Sequence, residues 1–210
     1  MCNTSSVCNR IVKGNLISKI KSGRPDWFQR ERTSIAEALD KLDWEPDTDE
    51  LRVIYFKAKY DWDSLANLGR AAVETLIEAS KEGDWPDENV VEALGKIGDA
   101  RAVEPLVELL EKYRGQQSSC KCVAKALGEI GDGRAVDALL DALKSGEPDS
   151  FGIEAITLAL GKIGDVRAIV PLIEVKDRKA KVEALKNIGE PVVEPLIKAL
   201  EDNDEDDRDS

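Results

Sequence analysis

The chain has 210 residues, 34% of them charged and 42% hydrophobic, with a formal net charge of −12, a pI of about 4.7 and no histidine. Such acidity argues against general binding to phosphate backbones, and the lack of histidine removes the commonest general base and the commonest neutral metal ligand. No apolar run approaches membrane-spanning length, so no membrane partner is expected; no cofactor is expected either.

The chain opens without the long apolar stretch of a secretory signal, so a cytoplasmic location is the expectation, with Cys2, Cys8, Cys120 and Cys122 reduced. Residues 1–14 are expected to be flexible. Residues 1–32 carry seven Lys or Arg against two acids, a local excess of +5 that leaves −17 elsewhere. The basic side chains Arg10, Lys13, Lys19, Lys21, Arg24, Arg30 and Arg32 are the candidate contact for nucleic acid, yet they read better as one pole of a dipolar molecule. Asn15-Leu-Ile-Ser-Lys-Ile-Lys21 can supply a first helix, and residues 30–42 form the next.

Residues 44–67 read as a helical insertion. Pro46-Asp-Thr-Asp gives a turn and an N-cap, and Glu50-Leu-Arg-Val-Ile-Tyr-Phe-Lys-Ala58 continues as one helix. Tyr55, Phe56, Tyr60 and Trp62 crowd this stretch, and aromatics at that density favour packing over a ligand box. Leu68-Gly-Arg-Ala-Ala-Val-Glu-Thr-Leu76 then leads into a helix ending near Glu82.

Three near-identical phrases come next at a fixed spacing of 33 residues: Ala93-Leu-Gly-Lys-Ile-Gly-Asp-Ala-Arg-Ala-Val103, Ala126-Leu-Gly-Glu-Ile-Gly-Asp-Gly-Arg-Ala-Val136 and Ala159-Leu-Gly-Lys-Ile-Gly-Asp-Val-Arg-Ala-Ile169. Self-similarity at such a period implies an all-α solenoid of antiparallel helix pairs, each burying its apolar face against its neighbours. In each phrase the Ala-Leu-Gly segment closes one helix. Gly98, Gly131 and Gly164 suit a left-handed C-cap, and Asp99, Asp132 and Asp165 are natural N-caps for the helix that begins with Arg-Ala-Val. The second helices, from Val103 and Val136, repeat apolar residues on one helical face. Pro105 and Pro171 place their starts close to Ala102 and Ala168. The pair Cys120-Lys-Cys122 lies on a helix, where residues two apart face nearly opposite ways, so one thiol should point inward and one outward.

A degenerate copy, Ala184-Leu-Lys-Asn-Ile-Gly-Glu-Pro-Val-Val-Glu-Pro-Leu196, comes after only 25 residues. Lys198, Glu201 and the acidic tail are expected to give the last unit a polar outer face. Residues 15–201 are thus expected to form a single solenoid domain of about five units. Residues 202–210 continue as an acidic, disordered tail.

The phrase Ala-Leu-Gly-x-Ile-Gly-Asp-x-Arg-Ala-Val-x-Pro-Leu resembles the HEAT-like repeats named after the phycobilisome lyases, over about residues 26–201. The resemblance implies a right-handed superhelix with the Arg-Ala-Val helices on the convex side and the Ala-Leu-Gly helices on the concave side. It carries over, as groove-facing positions, Trp85, Glu88, Asn89 and Lys96 in one unit. Gln117, Lys121, Cys122 and Glu129 take that place in the next, and Phe151, Glu154, Ala155, Leu158 and Lys162 in the third. Family members place an Arg before the phrase. Arg32 and Arg178 match it, whereas Asp87, Cys120 and Ile153 depart from it. The turn residues Asp99, Asp132, Asp165, Arg101, Arg134 and Arg167 are expected to make inter-repeat hydrogen bonds.

The function expected from these features is a non-catalytic scaffold that holds a segment of another protein in its concave groove. Trp85, Glu88, Asn89, Lys121, Cys122, Phe151, Glu154, Ala155 and Leu158 are its candidate contacts. Apolar anchors within a charged rim are the makings of a binding hot spot. The family name also implies an alternative, a lyase-like protein that handles a bilin chromophore, although no catalytic constellation is legible.

Overall fold

Helix signals recur along most of the chain, and among the residues it describes the computed structural model shows helices joined by tight turns. It describes residues 14–15, 18, 29–81, 87–113, 117–144 and 150–197, and no strand occurs among them. The expected flexible segment 1–14 and the acidic tail 202–210 lie outside the described residues, apart from Gly14. The chain divides into two compact units, Met1–Thr75 and Leu76–Ser210.

The first unit contains α1 (Gln29–Asp40), α2 (Asp49–Lys59) and α3 (Trp62–Asn67). α2 begins where the Pro46-Asp-Thr-Asp signal places it: the Thr48 side chain accepts a hydrogen bond from the Leu51 N–H. Asp49 and Glu50 occupy its first turn and Lys57 and Lys59 its last, each on the side the helix dipole favours. Ala36, Leu39, Tyr55 and Ala58 form the core, with Ile35, Trp44, Ile54 and Phe56 packed on it. Tyr55 meets Trp44 and Phe56 edge-on at centroid distances of 5.5 and 5.4 Å. Its hydroxyl donates to Asp40, which also pairs with Lys59 at 2.9 Å. The Tyr55 hydroxyl, and then the Lys59 ammonium, hold the Asp40 carboxyl below its ordinary value. The aromatic crowd is therefore split by role: Tyr55 is core, while Tyr60 stands 53% exposed beside Trp62.

In the second unit the 33-residue period becomes geometry. α4 (Val73–Ser80) ends two residues short of the expected Glu82. Then come α5 (Glu88–Ile97), α6 (Val103–Lys112), α7 (Gln117–Ile130), α8 (Val136–Lys144), α9 (Ser150–Ile163), α10 (Ile169–Glu174) and α11 (Arg178–Ile188), with helical residues 193–197 after them. The Ala-Leu-Gly helices α5, α7, α9 and α11 stack side by side, and α6 packs on α8 in a second layer. Leu94, Leu106, Leu127, Leu139, Leu160 and Leu172 are fully enclosed between the layers.

Each turn is built alike. Gly98, Gly131 and Gly164 adopt φ of 68°, 72° and 74°, conformations in which a β-carbon would clash with the backbone. Asp99, Asp132 and Asp165 then accept from the Arg101, Arg134 and Arg167 N–H groups. Each aspartate also holds the guanidinium of that arginine. Arg134 reaches back to the Ala100 carbonyl at 2.9 Å, and Arg167 to the Gly133 carbonyl at 3.2 Å and the Asp137 carboxylate at 2.8 Å. The Arg hydrogen bonds hold Asp132 and Asp165 below the ordinary carboxylate range. These residues tie unit to unit.

Interhelical spacing in the Ala-Leu-Gly layer is set by a second glycine. A β-carbon on Gly95 would lie 2.9 Å from Ala126 Cα, one on Gly128 2.8 Å from Ala159 Cα, and one on Gly161 2.4 Å from Ala184 Cα. Only hydrogen at these positions lets neighbouring backbones approach so closely. In the last copy the equivalent residue is Lys186, which is exposed. Beyond it, Val193, Leu196 and Ile197 are 56%, 37% and 50% exposed. Lys198 and Glu201, expected to form a polar outer face, lie outside the described residues.

Candidate functional site

Stacking α5, α7 and α9 in register lines up the sequence-equivalent positions of three units across one face. At the start of the helices the row reads Glu88, Lys121, Glu154, and near their ends it reads Lys96, Glu129, Lys162. Charge alternates along each row, so neighbouring helices present opposite signs. Glu129 crosses far enough that its carboxylate would lie 2.8 Å from a β-carbon on Gly95. Between these charged rows run Asn89, Cys122, Ala155 and, one turn on, Glu92, Lys125, Leu158.

Glu88, Asn89 and Lys121 are exposed, and Cys122, Glu154, Ala155 and Leu158 are half-buried. The apolar content therefore concentrates toward α9, flanked by ladders of mixed charge. Trp85 lies outside the described residues, and for Phe151 and Gln117 only the helical backbone is described. The regular Arg row of the family does not form across this face. Asp87 caps α5 through the Asn89 N–H, Cys120 is buried with its thiol on the Tyr113 carbonyl, and Ile153 is half-buried on α9.

The two thiols divide as helix geometry dictates: Cys120 is 3% exposed and Cys122 partly open. Burial, and then the neighbouring Glu88 carboxylate, push the Cys122 thiol up to about 11. Glu88 and Cys122, on adjacent helices, are thus close enough to sense each other. At neutral pH the Cys122 thiol is held in its protonated form. Its alkylation by iodoacetamide at pH 8 should run about a hundredfold slower than that of a cysteine titrating at 9, because the reaction needs the thiolate. The rate should keep rising to pH 11, and Glu88→Gln should speed it modestly. Peptide mapping by mass spectrometry reads this out, and labelling of Cys122 at the rate of a free peptide would contradict the placement.

A cavity of about 740 Å³ opens beside the last turn of α8. It is lined by Leu143, Lys144, Ile153, Val170, Pro171, Glu174, Val175, Lys176 and Asp177. Its one trace in the sequence is the drop of the repeat offset from 33 to 25 residues. Among the described residues no group of three or more Cys, Asp or Glu is arranged to hold a metal ion, and no helix is long and apolar enough to cross a membrane.

The family model for PBS lyase HEAT-like repeats matches this chain three times, at residues 88–112, 123–145 and 154–178. Each match covers one helix pair of the second unit. No curated protein matches the chain.

Proposed function

We propose that this array of PBS lyase HEAT-like repeats is a non-catalytic scaffold, holding a segment of another protein across α5, α7 and α9. The observation that carries the reading is the cross-helix pattern itself. Half-buried Cys122, Ala155 and Leu158 lie between charge rows that alternate in sign. Apolar anchors supply affinity when they are desolvated, and a mixed-charge rim sets register without demanding a polyanion or polycation as partner. The expected ligand is an extended or helical peptide with both acidic and basic residues. The raised thiol of Cys122 accords with contact rather than covalent chemistry. A cytoplasmic location belongs to the same reading.

The test is affinity capture from a lysate of the source organism, with wild type beside a Glu154→Lys/Leu158→Glu variant. Both are first shown to be equally helical by circular dichroism. A protein retained by wild type and lost by the variant is the expected result. Equal retention by both would remove this face from the function. A captured chromophore, seen by its visible absorbance, would replace the scaffold reading with bilin handling.

A further inference from the structure

The cavity beside α8 is the consequence of a missing turn. The second helices of the two preceding units, α6 and α8, have 10 and 9 residues, whereas α10 has 6. The first helices α7 and α9 have 14 residues each, and α11 has 11. α11 starts about a turn later than α7 and α9, as α5 also does, whereas the shortened period has removed the last turn of α10. The surface that turn would have covered is left open. Leu110 on α6 is 1% exposed, but its counterpart Leu143 on α8 is half-buried, because α10 stops at Glu174. Lys176 stands at the position that Leu110 and Leu143 hold in the longer units.

A second observation is independent of helix length. The position of Val170 is held by Glu104, Asp137 and Glu194 in the other units. Glu104 and Asp137 each face the arginine of the next turn, at 3.7 and 2.8 Å. The turn after Val170 reads Gly189-Glu-Pro-Val192 and has no arginine to meet. Relieved of that duty, the position has become apolar, and Val170 is 61% exposed on the cavity wall. The rim carries two lysines, Lys144 and Lys176, and two acids, Glu174 and Asp177. Lys144 and Lys176 are exposed and make no ion pair among the described residues. Asp177 is turned to the Lys179 and Ala180 N–H groups of α11, which leaves Glu174 as the opposing carboxylate among the described lining residues.

We propose that this notch docks one amphipathic helical turn of a partner protein. That turn carries aliphatic side chains three or four residues apart on the face meeting Leu143, Ile153, Val170 and Val175, and a carboxylate directed at Lys144 and Lys176. The occupant is the chemical equivalent of the turn this unit lacks. The site is separate from the α5–α7–α9 face and stands or falls independently of it.

The experiment selects short helix-forming peptides displayed on phage against the full-length protein. Enriched sequences should be acidic, with apolar residues at helical spacing. Fluorescence anisotropy should show them losing affinity by about tenfold or more on Val170→Glu, which restores the acid of the other units and leaves the fold intact. The double variant Lys144→Glu/Lys176→Glu should prefer a peptide with lysine in place of glutamate. Absence of enriched sequences, or peptides that bind Val170→Glu as tightly as wild type, would overturn the proposal. So would peptides whose binding is lost with Leu158→Glu instead, since they would occupy the other face.

Discussion

Gly161→Val is expected to destabilise the protein by about 3 kcal/mol or more, at the upper end of what overpacking costs. A β-carbon there would lie 2.4 Å from Ala184 Cα, 2.7 Å from its Cβ and 2.9 Å from its carbonyl oxygen. Two of those three atoms are backbone, so no side chain can rotate out of the way. α9 and α11 would have to separate, exposing Leu160 and Leu185 at their contact. The control is Gly133→Ala. Gly133 has an ordinary φ, and the nearest atom to its added carbon is Asp165 Oδ2 at 3.7 Å, so stability should change by less than about 0.5 kcal/mol. Urea denaturation monitored by circular dichroism distinguishes the two. A valine variant as stable as the alanine control would mean that the helices are not in backbone contact.

Leu139→Ala should cost about 2–5 kcal/mol, because Leu139 is fully buried on α8 and truncation leaves a cavity the neighbours cannot collapse into. Its position makes the loss more than local. In a solenoid, stability is the sum of each unit's own term and its interfaces with the units on either side. A central lesion weakens two interfaces at once, and the urea transition should broaden as well as shift. The equivalent residue of the last unit, Leu196, is 37% exposed, so Leu196→Ala should cost less than about 1 kcal/mol and leave the transition sharp. Equal effects at the two positions would show that the last unit is covered as fully as the middle one.

The features legible in the sequence are those that a single turn or helix decides for itself. Gly98, Asp99 and Arg101 specify a left-handed cap, an N-cap and a clamped guanidinium from adjacent positions, and the structure builds that turn three times. The Thr48 cap and the opposed facing of Cys120 and Cys122 arise from the same local geometry. The hidden features depend on the offset between helices. The alternation Glu88, Lys121, Glu154 is invisible until three units are laid side by side, since the residues are far apart in the chain. The length deficit of the last unit is countable, but which walls it strips depends on where α10 stops relative to α8. Trp85 and Phe151 stand out in the sequence as anchors for their size, and neither side chain lies among those described.

The glycines that let backbone meet backbone also govern how such a protein can lengthen over evolutionary time. Gly95, Gly128 and Gly161 each accept an alanine of the next helix at a distance no β-carbon tolerates. A duplicated copy of an internal unit brings both halves of that joint with it, so it can be spliced into the middle of the array and stack at once. Lys186 occupies the same place in the final copy, and there the joint has no receiving half. A unit added after it would meet a β-carbon and a charged chain where it requires a hydrogen atom. Tandem duplication of an internal unit therefore preserves the close backbone joint, whereas a helix stacked directly on α11 would need a wider one, and a single residue sets that difference.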